Sequence, residues 1–514
     1  MSSDRKQVSA AAPRFERLLW VLPVVLSAWR YYPITQNYFF GDDLYNLYEI
    51  VNRSLPEYLF KPYGMHLLAA RNLVYYLCFA FFGTNAEPYF WCVLLTHLVN
   101  VYLVFAILRT LSGPRMACVG AAFWGMSPID EGALGWFSVY GQVQATTMIL
   151  FVLYRVLRVA NGAAPVWREP VAWAALLLIA SVSFGSGIGA AMAFPVVAYI
   201  VLQRSPIRRR ALWAFGAVAA SLPLLYVGSF WLADYYDVPR TGEVGMALGG
   251  LLALSRVMGL TAHMVAYGVT SLLLSPFQYP MEYSGTHFTV VPILALLVIV
   301  AGVAMAPAQR RRALLAAVVL GCACYGIIAV GRVSFFFFFG TKLVAAARYH
   351  YAAPLFLWIA IVVAIATLAE RWPLTEGWRN AAVAAALAIL AIATAWRAPA
   401  IDHHPRERML AMKAVARIRK QIDAGPPGND VEVKNERFNG VGPLILQRPD
   451  LFPGLAAIFA IYFPQQVVDG KRVLFVVDDE ETLAAARQGR KTSQFVVRGQ
   501  PPADAPAAPP DEAP

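Results

Sequence analysis

Charge is what this sequence has least of. Only 14% of its 514 residues are Asp, Glu, Lys or Arg, while 59% are hydrophobic and the mean hydropathy is +0.53. Soluble chains of this length carry about a quarter charged residues, so the composition excludes an ordinary soluble protein and specifies a polytopic membrane protein. Acidic residues are the scarcer sign, 31 against 43 basic ones, for a formal net charge of +12. That excess forms no continuous basic face for nucleic acid. The arginines fall in short clusters between apolar runs, the pattern of topology signals. Cysteine is scarce as well. Cys78, Cys92, Cys118, Cys322 and Cys324 lie in or beside apolar segments with no histidine at metal-ligand spacing, so neither a disulfide framework nor a zinc site is expected. No internal repeat recurs among the apolar runs, which weighs against an inverted-repeat transporter.

What the chain does contain is a series of apolar runs. Residues 18–34 follow a basic N-terminus with Arg5, Lys6, Arg14 and Arg17, and Trp29-Arg30-Tyr31-Tyr32-Pro33 offers no cleavage pattern. This first run therefore reads as a retained span entering from the cytoplasm. With the runs at 89–111, 116–126, 139–159, 171–184, 188–203, 213–232, 290–305, 314–330, 351–368 and 381–396 the reading is about eleven spans, with basic clusters in nearly every loop assigned to the cytoplasm. Residues 45–83 mix charged and apolar types and read as interfacial helices. Residues 244–275 carry Arg256 and His263, and read either as a hairpin that starts and finishes outside or as two spans.

The fold class expected is an all-α polytopic membrane protein with a small C-terminal extracytoplasmic α/β appendage. Its parts are a cytoplasmic N-terminus (1–17), a transmembrane domain (18–398, first external loop 35–88), the appendage (399–500) and a Pro/Ala-rich disordered tail (501–514). Within the appendage, 404–424 and 480–488 read as helices and 431–433, 472–477 and 495–497 as strands. An odd number of spans puts the C-terminus outside.

The chemistry-bearing residues crowd on that outer side. Asp42 and Asp43 adjoin each other just past the first run, where two carboxylates repel and a neighbour, a proton or a metal has to compensate. The competing reading is a wet loop in which they only start the helix 44–51. His66, Arg71, Glu131, Trp136, Tyr140, Lys342, Arg348 and His350 come from separate outer segments, with Asp130 beside Glu131. A base, cations for a phosphate and aromatics for a sugar or lipid are what an active site facing a lipid headgroup needs. Each has a plainer alternative: Arg348 and Lys342 snorkelling at a helix entrance, Asp130 and Glu131 capping a turn, Trp136 and Tyr140 in an aromatic belt. His97 and Asn100, one helical turn apart, read as a structural hydrogen bond between helices. His403-His404 has no partners nearby and reads as a solvated linker.

The order Phe40-Gly41-Asp42-Asp43, Ile50-Val51-Asn52-Arg53, His66, Ala70-Arg71-Asn72-Leu73, Phe82-Gly83-Thr84-Asn85, Thr96-His97-Leu98-Val99-Asn100, Phe123-Trp124-Gly125-Met126-Ser127-Pro128, Glu131, Trp136 resembles the membrane half of the GT-C glycosyltransferases. It is most similar to the branch containing the tetratricopeptide-linked protein O-mannosyltransferases and their bacterial relatives, over roughly the first third of the chain. The resemblance implies a polyprenyl-phosphate-linked sugar donor. Asp42, or Asp43 in second place, would be the base for the acceptor hydroxyl. Arg348, in Ala347-Arg348-Tyr349-His350-Tyr351, would bind the lipid phosphate, with Arg71 and Lys342 as further phosphate candidates. His66, Glu131, Trp136, Tyr140 and His350 would line the substrate site. A divalent metal, Mg2+ or Mn2+, at Asp42/Asp43 is left open. The chain departs from that branch in having no tetratricopeptide repeats, which leaves a glycan, lipid or protein acceptor open. The bacterial relatives point to an inner membrane, with the N-terminus cytoplasmic and the C-terminus periplasmic. The rival functions are a transporter or lipid flippase, with His97 and Arg348 lining a path, and a non-catalytic envelope-assembly subunit.

Overall fold

A computed structural model of the chain describes residues 16, 18–39, 41–62, 67–235, 251–277, 281–371, 375–396, 405–426, 430–434, 461–463, 467–477 and 495–497. The first elements are α1 (Val21–Tyr31), α2 (Asp42–Asn52), α3 (Leu55–Phe60), α4 (Ala69–Phe82), α5 (Glu87–Ser112) and α6 (Pro114–Gly125). Two single 3-10 turns flank the short α7 (Glu131–Leu134) before α8 (Tyr140–Ala160), α9 (Glu169–Ser181), α10 (Gly185–Val201) and α11 (Arg208–Tyr235). Then come α12 (Leu251–Leu274), α13 (His287–Met305), α14 (Ala308–Phe339), α15 (Thr341–Val344), α16 (Ala352–Ala369), α17 (Glu376–Trp396) and α18 (Pro405–Ala424).

Seven of the described helices are long and apolar enough to cross a membrane: Glu87–Ser112, Phe137–Ala160, Arg208–Ser229, Leu254–Leu274, His287–Met305, Ala308–Val333 and Ala352–Ala369. Shorter apolar helices lie at Ala69–Phe82, Glu169–Ser181, Gly185–Val201 and Asn380–Ala393. The protein is thus an integral membrane protein built almost entirely of helices, as its composition requires. Two of the expected spans hold short α-helices: α1 and α6 have 11 and 12 residues, or about 16–18 Å of helix. α1 runs on directly into a 3-10 helix, Tyr32–Gln36, that carries Pro33, and α6 opens on Pro114 and is followed by the 3-10 turn Pro128–Asp130. Residues 251–274 form one continuous helix of 24 residues, not a hairpin or two spans. The stretch expected to be wholly interfacial contains the apolar α4.

Burial ranks the spans. α16 is 83% buried and runs through the middle of the bundle, whereas α13 is 17% buried and faces outward. The two still touch closely at Gly302, where a Cβ would lie 2.5 Å from that of Ala364; small residues let backbones approach where lipid supplies no hydrophobic drive between helices. Polar ties fix the remaining neighbours. Trp358 Nε1 donates to Gly120 O at 2.8 Å, joining α16 to α6. His97 Nδ1 lies 2.9 Å from the Tyr351 hydroxyl, to which Asn100 Nδ2 also donates at 3.0 Å.

The appendage is a small mixed sheet beside α18. β1 (Val431–Lys434), β3 (Lys471–Val477) and β4 (Phe495–Val497) are parallel, and β2 (Val467–Val468) pairs antiparallel with the start of β3. Asp469 and Gly470, at φ 50° and 75°, make the tight two-residue turn between β2 and β3 that Asp-Gly favours. Lys471 Nζ donates to the carbonyls of Ile422 and Asp423, capping α18. Tyr462 from this region stacks on Tyr38, ring centres 6.3 Å apart, beside the acidic turn. The expected helix 480–488, the tail 501–514 and His403-His404 lie outside the described residues.

Candidate functional site

The site begins at Gly41, whose φ of +54° makes the turn into α2 and places Asp42 and Asp43 in its first helical turn. Carboxylates there are favoured by the helix dipole. Consecutive helical residues point about 100° apart, and the packing separates the pair. Asp43 is fully buried. Its Oδ1 accepts from the Tyr75 hydroxyl at 2.6 Å and from both the Oγ and backbone N–H of Ser138 at 2.7 Å. Asp42 is half-buried.

Ser138 is the meeting point of a second charge. Arg71, 2% exposed, donates from Nη1 to Ser138 O at 3.1 Å and from Nη2 to Asn46 Oδ1 at 2.8 Å and Asn72 Oδ1 at 2.7 Å. Of the residues expected at the phosphate, Arg71 is thus buried, and its guanidinium ties α2, α4 and the 137–139 turn together. Two more expected substrate contacts lie inside the bundle. Tyr140 is 5% exposed, stacks on Phe137 and shares a 3.1 Å hydrogen bond with Thr96. His350 is fully buried, its Nδ1 2.7 Å from the Tyr325 hydroxyl and its Nε2 2.7 Å from Val344 O. Burial lowers its pKa to about 4, so the ring is neutral at physiological pH. His66 lies outside the described residues.

The second wall is the segment 128–139. Asp130 is fully buried and, among the described residues, neither carboxylate oxygen has a hydrogen-bond partner; burial raises its pKa well above the usual carboxylate range. Glu131, 1% exposed, starts α7. At Gly132 a Cβ would stand 2.5 Å from Ala347 Cβ and 2.7 Å from Arg348 N, so only glycine lets the 347–349 turn press against α7. Trp136 is half-buried. Its ring lies 3.7 Å from the position of a Cβ on Gly41, and the Arg348 guanidinium carbon is 5.9 Å from its ring centre. Trp136 therefore stands between the Asp42 turn and Arg348.

Arg348 is exposed, with its guanidinium carbon 5.0 Å from the Tyr349 ring centre. Arg332 Nε donates to the Tyr349 hydroxyl at 3.0 Å. Burial alone would raise the Tyr349 phenol; Arg332, and then Arg348, outweigh it and bring its pKa below the ordinary value. Lys342 is exposed on α15, on the loop that leads to this turn. Sequence reasoning missed Arg332, Ser138 and Tyr75. Arg332 had a usable signal, a lone guanidinium at the end of an apolar run. Ser138 and Tyr75 had none, since a hydroxyl among apolar residues is common.

The arrangement offers a half-buried carboxylate, an aromatic ring and a cationic turn on adjoining segments. It does not make a good divalent-metal site of Asp42/Asp43. A hard cation takes about six oxygen ligands, Asp43 Oδ1 is already bonded to three protein donors, and among the described residues no three His, Cys, Asp or Glu side chains group as metal ligands.

No family model matches the chain, and no curated protein matches it. Among solved structures, the Archaeoglobus fulgidus oligosaccharyltransferase in complex with Zn and sulfate is similar at 13% identity and a TM-score of 0.47, over 78% of this chain and 55% of that one. The oligosaccharyltransferase AglB from the same organism, with an inhibitory peptide and a dolichol-phosphate, gives 13% identity and 0.41 over 79% and 58%. ArnT from Cupriavidus metallidurans bound to undecaprenyl phosphate gives 13% and 0.34 over 93% and 88%. The chain spans little more than half the length of the two archaeal structures. The class defined by its own fold is a polytopic helical membrane protein with a small α/β appendage.

Proposed function

We propose that the chain is a GT-C-type glycosyltransferase that moves a sugar, of the hexosyl or mannosyl class, from a polyprenyl-phosphate donor to an acceptor hydroxyl on the extracytoplasmic face of a bacterial inner membrane. The observation that carries this reading is the meeting of the Asp42 turn and the Arg348 turn at Trp136. Asp42 accepts the proton of the acceptor hydroxyl as its oxygen bonds to the sugar's anomeric carbon. The bond from that carbon to the phosphate oxygen breaks, and the polyprenyl phosphate leaves with the electron pair. Arg348, with Arg332 and Lys342 nearby, holds the charge that develops on the phosphate; guanidinium binds phosphate in two-point geometry. Trp136 offers its face to the sugar, and Glu131, buried at the start of α7, is a further substrate contact. Asp43 and Arg71 are positioning residues: through Ser138 they set the direction in which Asp42 points. The acceptor is a glycan, lipid or protein hydroxyl.

The test is turnover of polyprenyl-phosphate-linked sugars by purified protein in nanodiscs, with donor affinity measured on the same samples. Asp42→Asn is expected to lose about 10²–10⁴-fold in turnover while retaining donor binding. Full turnover by Asp42→Asn sinks the base assignment. No turnover by the wild type with any such donor, together with flux of a lipid-linked substrate, gives the transporter reading instead.

A further inference from the structure

A cavity of about 680 Å³ opens at the other end of the bundle from the acidic turn, lined by Trp20, Tyr102, Arg109, Thr110, Tyr154 and Arg158 among others. Its location follows from helix geometry. α5 has Tyr89 against Phe39 and Phe137 near its start and Arg109 in its last turn. Twenty residues of helix separate the two ends by about 30 Å, the thickness of a hydrocarbon core. α8 makes the same journey from Tyr140 to Arg158.

The lining is arranged for an anion. Residues 102, 106, 109 and 110 follow one another at the spacing of a single helical face, and Arg158 returns over Tyr154, Nη1 to the hydroxyl at 3.1 Å. Cations in a last helical turn also offset the helix dipole, and that alone would explain one arginine on each helix. It does not explain why both, exposed at this end of the bundle, line one open cavity. Among the described residues no carboxylate lines that space, and the carboxylate of the adjoining loop, Glu169, is paired with Arg155. Two like charges facing a common cavity favour an anion between them. Beside the cavity lies apolar surface: Tyr102 is 45% exposed and meets Trp20 edge to face at 5.5 Å, and Val99 is exposed one turn earlier on the same helix.

From these features we infer that this cavity binds the phosphate of an anionic phospholipid in the leaflet away from the acidic turn. Arg109 and Arg158 bond the phosphate oxygens, Thr110 offers a hydroxyl, and an acyl chain lies along Tyr102 and Val99. The site is separate from the proposed reaction and does not depend on it.

The test uses the full chain in nanodiscs of phosphatidylcholine doped with photoactivatable phosphatidylglycerol or photoactivatable phosphatidylcholine, with labelled peptides mapped by mass spectrometry. Phosphatidylglycerol is expected to label peptides covering 102–110 and 154–163 about tenfold more than phosphatidylcholine, the ratio that one charge-assisted hydrogen bond supports. The preference is expected to vanish in the double variant Arg109→Gln/Arg158→Gln and to survive in Arg109→Lys/Arg158→Lys, each checked for an unchanged unfolding midpoint. Equal labelling by the two lipids in the wild type overturns the proposal. So does a preference that persists in the folded double glutamine variant. Inorganic phosphate added in detergent separates the sources. If it raises the unfolding midpoint of wild type only, and no lipid preference is seen, the cavity takes a soluble phosphate and the lipid assignment falls.

Discussion

Replacing Asp43 and replacing Asp42 are expected to do opposite things, and the hydrogen bonds supply the magnitudes. Asp43→Ala removes the acceptor shared by the Tyr75 hydroxyl, the Ser138 hydroxyl and the Ser138 N–H. A buried donor left without an acceptor costs about 1–3 kcal/mol. The two hydroxyls are 3.3 Å apart and can satisfy one of their own donors between them, but the backbone N–H cannot turn away. The expected loss is therefore about 2–6 kcal/mol, that of two unsatisfied donors. Asp43→Asn keeps an acceptor oxygen and loses only the charge assistance, for about 1–2 kcal/mol. Asp42→Asn, at a half-buried position, should leave stability nearly unchanged while cutting turnover about 10²–10⁴-fold. The assay is intrinsic-fluorescence unfolding in nanodiscs, backed by inactivation half-lives because large membrane proteins commonly unfold irreversibly. The order expected is Asp43→Ala below Asp43→Asn below Asp42→Asn and wild type. A cycle with Ser138→Ala should be less than additive, since both changes remove the same bonds. If Asp43→Ala is as stable as wild type, or if Asp42→Asn costs as much, the division of labour within the pair is wrong.

Asp130 carries a pH signature. Its folded pKa is raised, so between the ordinary carboxylate value and that raised value the folded state holds a proton the unfolded chain has lost, and stability falls as pH rises; Asp130→Asn should flatten the decline in unfolding midpoint that sets in above about pH 4. Tyr351→Phe deprives His97 and Asn100 of their common partner and should cost about 1–3 kcal/mol, read as a lower midpoint without a change in donor affinity. Arg332→Gln should weaken donor affinity about tenfold, the equivalent of one charge-assisted contact. It should also raise the Tyr349 phenol, seen as a shift in its ultraviolet titration, whereas a purely structural Arg332 would move neither the affinity nor the titration.

The sequence determined the class of this protein by itself, because 14% charge leaves too little polar surface for a soluble fold and apolar runs of bilayer length have one stable form, the helix. It also singled out the Asp42-Asp43 pair, since adjacent carboxylates beside an apolar run are costly anywhere. Run lengths were less informative about helix type where proline intervened: the run 18–34 holds α-helix only over Val21–Tyr31, and its end, with Pro33, is a 3-10 helix. Residues 244–275 look broken, yet hold a continuous helix from 251, in which His263 is accommodated by a 2.7 Å contact with Tyr283 that no local pattern encodes. Only the tertiary structure decided which aspartate turns inward. Two neighbours on a helix have the same composition and the same local surroundings; what separates them is Ser138, 95 residues along the chain, arriving with two donors for one of them. The arginines were sorted in the same way. Arg71 and Arg348 are chemically identical, and it is the enclosure of one by Asn46, Asn72 and Ser138, against the exposure of the other beside Trp136, that makes the first a brace and leaves the second facing outward.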